Sequence, residues 1–351
     1  MKGWKTVAAA FAGTVAGFLS TGAFGMTFSV PVLTPEAAAW QQMTAPGELR
    51  VFGTGPVEER AASDLRAFLK GKAADHVELV LDSPGGSVAG AMRLGEFLRS
   101  IGADTSVGKR GKAGSEPGEC FGACALAYAG GVGRYLGSGS SIDRPDDSAP
   151  GVASYLRKMG VDPGAFGKAG ASTRAPGLPG KAATASGLVN NGVLWVRAEV
   201  KSRSGVPYVV VRQAVAPWNR MTNNTVLIVG RVPGVSAWLV SMGIVSDPEI
   251  ARNRYEATQR AVIMAGDAEL MVGTKEKTEG RKPEVVLDRD TLWVMGQARD
   301  ERTRKKIREA RDLVVEFDTE GAMAFVGWID FSRSPEAEKT FIRFLGKELR
   351  R

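Results

Sequence analysis

Histidine is almost missing from this chain. Among 351 residues there is one, His76, and there are two cysteines, Cys120 and Cys124. So few soft ligands exclude a zinc site built from cysteine and histidine, and no metal or other cofactor is expected. They also exclude a scaffold stapled by many disulfides. His76 stands just before an apolar run, in Asp75-His76-Val77, and reads as the residue that opens a strand rather than as a base. Long apolar runs are missing too. The stretch from Val7 to Leu19 is broken by Gly13 and Gly17 and falls short of the roughly 20 residues a spanning helix needs. No later stretch is apolar enough to span a bilayer. Aromatics are sparse, and none interleave with the basic clusters at Lys109-Arg110-Gly111-Lys112 and Arg302 to Arg311. Nucleic acid is therefore not an expected partner.

The N-terminus carries a pattern of its own. Lys2 and Lys5 precede the apolar run, and Ala23-Phe24-Gly25 supplies a small-x-small cleavage site. This predicts a secretory signal peptide over residues 1–25 and a soluble mature protein in the periplasm. The alternative is an uncleaved N-terminus that anchors the chain in the inner membrane. The formal net charge is +8; without Lys2 and Lys5 the basic residues fall from 46 to 44 against 38 acidic ones, leaving +6. That mild bias reads as a solvated surface, with an anionic envelope surface as a candidate partner.

The most informative stretch is Val77-Glu78-Leu79-Val80-Leu81-Asp82-Ser83-Pro84-Gly85-Gly86-Ser87-Val88. It predicts a buried strand, a sharp turn and a helix. Ser83-Pro84 ends the strand, because proline offers no N–H and restrains its predecessor. Gly85 and Gly86 allow a tight turn with amides uncovered by side chains. Ala91, Leu94, Leu98 and Ile101 then fall at helical spacing. Two readings stay open: a plain strand–helix turn, or amides that hold an oxyanion.

In chain order, residues 26–47 read as an N-terminal arm broken by Pro31, Pro35 and Pro46. Leu49 to Phe52 reads as a strand and Glu58 to Lys70 as a helix with Ala61, Leu65, Phe68 and Leu69 on one face. Asp104 to Val107 and Arg134 to Leu136 are further strands, so the sheet is expected to be at least partly parallel. Lys109 to Glu119 reads as loop, Gly137 to Pro150 as a loop carrying Asp143, Asp146 and Asp147, Ser154 to Met159 as a short helix and 164–187 as an irregular cover. From Val193 the alternation predicts a β-rich C-terminal domain over 193–351. Two helices are expected there, at Glu301 to Arg311 and Pro335 to Glu348, and no catalytic motif.

Ser83-Pro84-Gly85-Gly86-Ser87-Val88, taken with Cys120-x-x-Ala123-Cys124-Ala125-Leu126, resembles a known family. The chain is similar over residues 48–192 to exported bacterial relatives of the Clp protease proteolytic subunit, in the Clp protease/crotonase superfamily. Tyr155-Leu156-x-x-Met159-Gly160-Val161-Asp162 and Gly187-Leu188-Val189 fit the same group. The resemblance implies an α/β spiral of ββα units, and an oxyanion hole using Gly85, Gly86 and the Ala123 amide. It also implies a homo-oligomer, since relatives form rings or trimers.

Two positions depart from the family pattern. Where the family carries its nucleophilic serine, this chain has Gly122. Where it carries its histidine base, the chain reads Ser140-Ser141-Ile142-Asp143, which puts Asp143 there. A hydroxyl nucleophile needs a base to take its proton, and a carboxylate is a poor one near neutral pH. The leading expectation is a degenerate pseudoenzyme that binds a peptide or an envelope protein. The alternatives are a serine peptidase with a relocated nucleophile, Ser87, and a crotonase-like acyl-thioester enzyme, for which an exported chain has no obvious coenzyme A. The bland role of Ser87 is a helix N-cap. Cys120 and Cys124 are a disulfide candidate in an oxidising compartment. Because i and i+4 cysteines of a regular helix lie somewhat far apart, the bridge requires a local turn near Gly122.

Overall fold

The computed structural model describes residues 25–35, 38, 47–111, 114–145, 148–166, 180–217, 222–231, 237–277, 282–319 and 324–347. The expected signal peptide up to residue 24, most of the arm, Asp146, Asp147 and the middle of the 164–187 stretch lie outside the described residues.

The N-terminal region is a mixed α/β unit around a five-stranded sheet. Strands β1 (Thr27–Ser29), β2 (Glu48–Thr54), β3 (His76–Asp82), β4 (Asp104–Val107) and β8 (Arg134–Leu136) lie in the order β1-β2-β3-β4-β8. β1 is antiparallel to β2, and the other pairs are parallel. Parallel neighbours need long crossovers, and these are helices α1 (Ala61–Leu69), α2 (Val88–Ser100) and α3 (Cys124–Ala129). β3 is flanked on both edges, and Leu79, Val80 and Leu81 are buried. Each such side chain contributes about 2 kcal/mol through burial. In α2, Ala91, Leu94 and Leu98 face this core; Ile101 does not, since it follows the helix and is exposed.

Polar groups settle the far end of the sheet. His76 opens β3 and is buried, with Nε2 3.3 Å from Asp104 Oδ2. The other Asp104 oxygen accepts the Gly133 amide at 2.6 Å. The one histidine is thus held at the end of β3 remote from the glycine turn, about 20 Å away at ordinary strand rise.

The segment 109–119, expected as loop, holds a short antiparallel hairpin of β5 (Lys109–Gly111) and β6 (Gly114–Glu116). After it, β7 (Glu119–Cys120) pairs in parallel with β9 (Ser141–Ile142). Strands of two or three residues leave no alternation to read. Two further helices, α4 (Val152–Lys158) and α5 (Gly180–Ala185), close the unit.

The C-terminal region is a β-rich near-barrel of ten strands with a C-terminal helix. Its strands are β10 (Val193–Arg203), β11 (Val206–Val215), β12 (Asn224–Arg231), β13 (Trp238–Val245), β14 (Thr258–Ala265), β15 (Ala268–Thr274), β16 (Glu284–Asp288), β17 (Thr291–Ala298), β18 (Asp312–Thr319) and β19 (Phe325–Asp330). The spatial order is β10-β11-β12-β13-β17-β16-β15-β14-β18-β19. All pairs are antiparallel except β15–β16. β19 swings back over β11 and β12, held largely by side chains. Gln213 Nε2 donates to the Trp328 carbonyl at 2.5 Å, and the Trp328 amide donates to Thr225 Oγ1 at 3.0 Å.

Three helices, not two, belong to this region among the described residues: α6 (Pro248–Ala257), α7 (Glu301–Glu309) and α8 (Pro335–Lys347). α6 shows no apolar stripe, since Ala251 is its single buried residue, but Asp247 caps it and Pro248 stands in its first turn. In α8, Ala337, Phe341, Phe344 and Leu345 are buried, and Phe341 stacks on Phe331 at 4.8 Å. Two separate hydrophobic clusters result, one from Met26 to Val189 and one from Val193 to Leu345.

Candidate functional site

The site is built where β3 ends. Beyond Asp82 the chain is gripped on both sides. The Ser83 amide donates to the Glu119 carbonyl at 2.7 Å, and the Phe121 amide donates back to the Ser83 carbonyl at 3.0 Å. Across the turn, the Val57 amide donates to the Gly85 carbonyl and the Ser87 amide to the Val57 carbonyl, both at 2.7 Å. The turn therefore joins three segments of chain.

Gly85 and Gly86 both take positive φ, +119° and +137°. A Cβ on Gly86 would stand 2.3 Å from the Val57 carbonyl oxygen, so no side chain fits there. Gly85 packs against the cysteine segment: a Cβ there would lie 3.2 Å from the Phe121 carbonyl oxygen and 3.6 Å from the Ala123 nitrogen. The fold thus brings Gly85, Gly86, Gly122 and Ala123 together.

The four amides have different fates. Gly85 N–H donates to Ser83 Oγ at 3.2 Å. Gly122 N–H donates to Asp143 Oδ2 at 3.3 Å. The amides of Gly86 and Ala123 have no acceptor among the described residues. They are the donors available for an incoming carbonyl or carboxylate oxygen. Of the three residues expected to supply donors, Gly85 is therefore already engaged.

Gly122 has φ +53° and is exposed, and a Cβ there would meet nothing nearer than Gly85 Cα at 3.9 Å. The space for a side chain exists and is empty. Asp143 is brought beside it by the β7–β9 pairing, its amide donating to the Cys120 carbonyl at 3.0 Å. Cys120 ends β7, Cys124 opens α3, and their Cα atoms are 5.2 Å apart across a bridged pair of sulfurs. The turn at Gly122 replaces the regular helix that would have separated them. Both thiols are consumed, so neither can attack a substrate.

Ser87 is used otherwise. Its Oγ accepts the Gly90 amide at 3.0 Å as the N-cap of α2 and donates to Glu59 Oε1 at 2.5 Å. Glu59 is also ion-paired to Arg93. Ser140, one of the two serines before Asp143, accepts the Gly118 amide and donates to the Val107 carbonyl. No group of histidine, cysteine and carboxylate side chains fit to hold a metal occurs among the described residues. No helix among them is long and apolar enough to cross a membrane.

Neither a scan against protein-family models nor a search of curated proteins finds a match to this chain. What the site can do is therefore argued from its own groups. It offers two uncommitted amides and a carboxylate, with no side-chain nucleophile at Gly122.

Proposed function

We propose that this chain is an exported, Clp protease-like protein that binds peptide or an envelope protein and does not cleave it. In this reading the α/β unit is a Clp protease/crotonase-like spiral of ββα units, working in the periplasm, and the near-barrel is its companion. The carrying observation is the packing of the Gly85–Gly86 turn on Gly122–Ala123, with the Gly86 and Ala123 amides uncommitted, no side chain at Gly122, and the neighbouring Ser83 and Ser87 hydroxyls engaged in hydrogen bonds of their own. Uncommitted amides survive loss of the nucleophile, and they still donate to a peptide carbonyl, though more weakly than to an oxyanion.

A second reading rests on the Ser87–Glu59 hydrogen bond of 2.5 Å, which pairs a hydroxyl with a carboxylate acceptor. It makes Ser87 a relocated nucleophile. It is the weaker reading, because the same oxygen caps α2 and Glu59 is held by Arg93. Incubating the mature protein with unfolded peptides and a fluorophosphonate probe separates the two. Binding without cleavage or covalent labelling supports the pseudoenzyme. Cleavage that Ser87→Ala abolishes, in a folded protein, supports the peptidase.

A further inference from the structure

A cavity of about 470 Å³ lies where the 184–190 segment and α4 meet the start of β10. Three guanidinium groups line it, those of Arg99, Arg134 and Arg333. They come from α2, from β8 and from the turn that follows β19. Arg333 also links the two regions, since its Nη1 donates to the Val189 carbonyl at 2.8 Å.

The charges here are hydrogen-bonded but poorly neutralised. Arg99 donates to the carbonyls of Ala129, Gly130, Gly131 and Met159. Arg134, nearly all buried, donates to those of Gly131, Met159, Gly187 and Leu188. Neither forms an ion pair among the described residues. Carbonyls satisfy N–H groups without cancelling a charge, and a buried charge left uncancelled is costly. The Arg134 guanidinium is accordingly pushed down to about 10, first by burial and then by the charge of Arg99. Burial lowers Arg99 and Arg333 as well. Against three cations stand Asp162 at the cavity, whose Oδ1 accepts the Gly164 amide, Asp330, paired to Arg333 Nε at 3.1 Å, and Asp104, whose charge acts weakly on Arg134 without an ion pair and is shared with His76. Arg99 Nη1 and Arg333 Nη2 have no acceptor among the described residues, so donors remain for a ligand. Beside this cluster the Tyr128 hydroxyl is fully buried without a hydrogen-bond partner among the described residues.

The other wall is apolar. Leu194 and Trp195, 43% and 38% exposed, line the cavity from β10. The volume matches sites for small molecules rather than for a single ion.

We propose that this cavity binds a small ligand carrying one oxyanionic group, a carboxylate or a phosphate, on an apolar body. The oxyanion is held by the arginines, with Arg99 and Arg333 supplying the uncommitted N–H groups, and the body lies on Leu194 and Trp195. This site is separate from the Gly85–Gly86 turn and does not rest on the peptide-binding reading.

The test is calorimetric titration of the full mature chain with benzoate, phenyl phosphate and neutral benzyl alcohol, at matched chloride ionic strength. The expected result is one site per chain for benzoate or phenyl phosphate, bound at least tenfold more tightly than benzyl alcohol. The preferred anion identifies the oxyanion class. Arg99→Gln should weaken that binding at least tenfold. Because Arg99 also braces four carbonyls, Leu194→Glu provides a second arm: it sets a carboxylate in the cavity from an exposed position and should weaken binding at least tenfold in a chain of unchanged melting temperature. Equal affinity for benzyl alcohol, no binding of either anion, or undiminished anion binding in Leu194→Glu would overturn the proposal.

Discussion

The Gly122 amide donates to the Asp143 carboxylate across 3.3 Å, so the two positions that depart from the family pattern are hydrogen-bonded to each other. One contributes no side chain. The other contributes an acceptor already aimed at the backbone. In the proposed reading this is how a cutting site becomes a holding site: the empty position is braced, and the neighbouring amides of Gly86 and Ala123 stay uncommitted.

Restoring a hydroxyl alone should not restore cleavage. Gly122→Ser has room, but its φ of +53° costs about 1 kcal/mol for a residue other than glycine. It also leaves no histidine nearby. Gly122→Ser is expected to stay unlabelled by a fluorophosphonate, whereas Gly122→Ser with Asp143→His should gain labelling at the substituted position. Mass spectrometry of the intact protein reads both.

The glycines of the site should differ sharply in tolerance. Gly86→Ala drives a Cβ into the Val57 carbonyl at φ +137° and should cost about 3 kcal/mol or fail to fold. Gly122→Ala meets open space and should cost about 1 kcal/mol. Urea unfolding of the two variants checks the ordering; equal glycine strain would give equal costs.

Removing the bridge should weaken the α/β unit. Cys120 and Cys124 close a very short loop, worth about 2 kcal/mol by chain entropy. Cys120→Ala with Cys124→Ala should lower unfolding stability by about that amount. A reductant should lower the wild type similarly and leave the double variant unmoved.

One helix terminus carries an acid-side pH dependence. Asp300 accepts the Thr303 amide at 2.8 Å, and that bond holds its carboxyl below the ordinary 3.8. A carboxyl depressed in the folded state stabilises above its unfolded value and loses that contribution as pH falls through the folded one. The start of α7 should therefore begin to open below pH 3.8, seen as a loss of protection of the Thr303 amide relative to its intrinsic exchange rate at each pH. In Asp300→Ala that amide should show little protection, relative to its intrinsic exchange rate, at every pH.

The apolar run 77–81 and the Ser-Pro-Gly-Gly turn made β3, its turn and α2 legible in the sequence. Cys120, Gly122 and Cys124 made the local turn and the bridge legible as a linked pair of expectations. The meeting of Asp143 with Gly122 was suggested only by resemblance, because it depends on two-residue strands that carry no periodicity. α6 carries no apolar stripe to mark it in the sequence, although Asp247-Pro248 is a usable start signal. The arginine cavity was invisible for another reason: Arg99 and Arg134 are far apart in sequence and meet through packing inside the α/β unit, and Arg333 joins them only from the other region.

The most direct test of the holding-site account is an amide NMR titration of the purified protein with an unfolded peptide, following Gly86, Ala123 and Gly122 while mass spectrometry follows the peptide. The account predicts saturable shifts at Gly86 and Ala123, larger than at any amide of the near-barrel, with the peptide mass unchanged. Unmoved Gly86 and Ala123 amides, or a peptide that shortens during the titration, would contradict it.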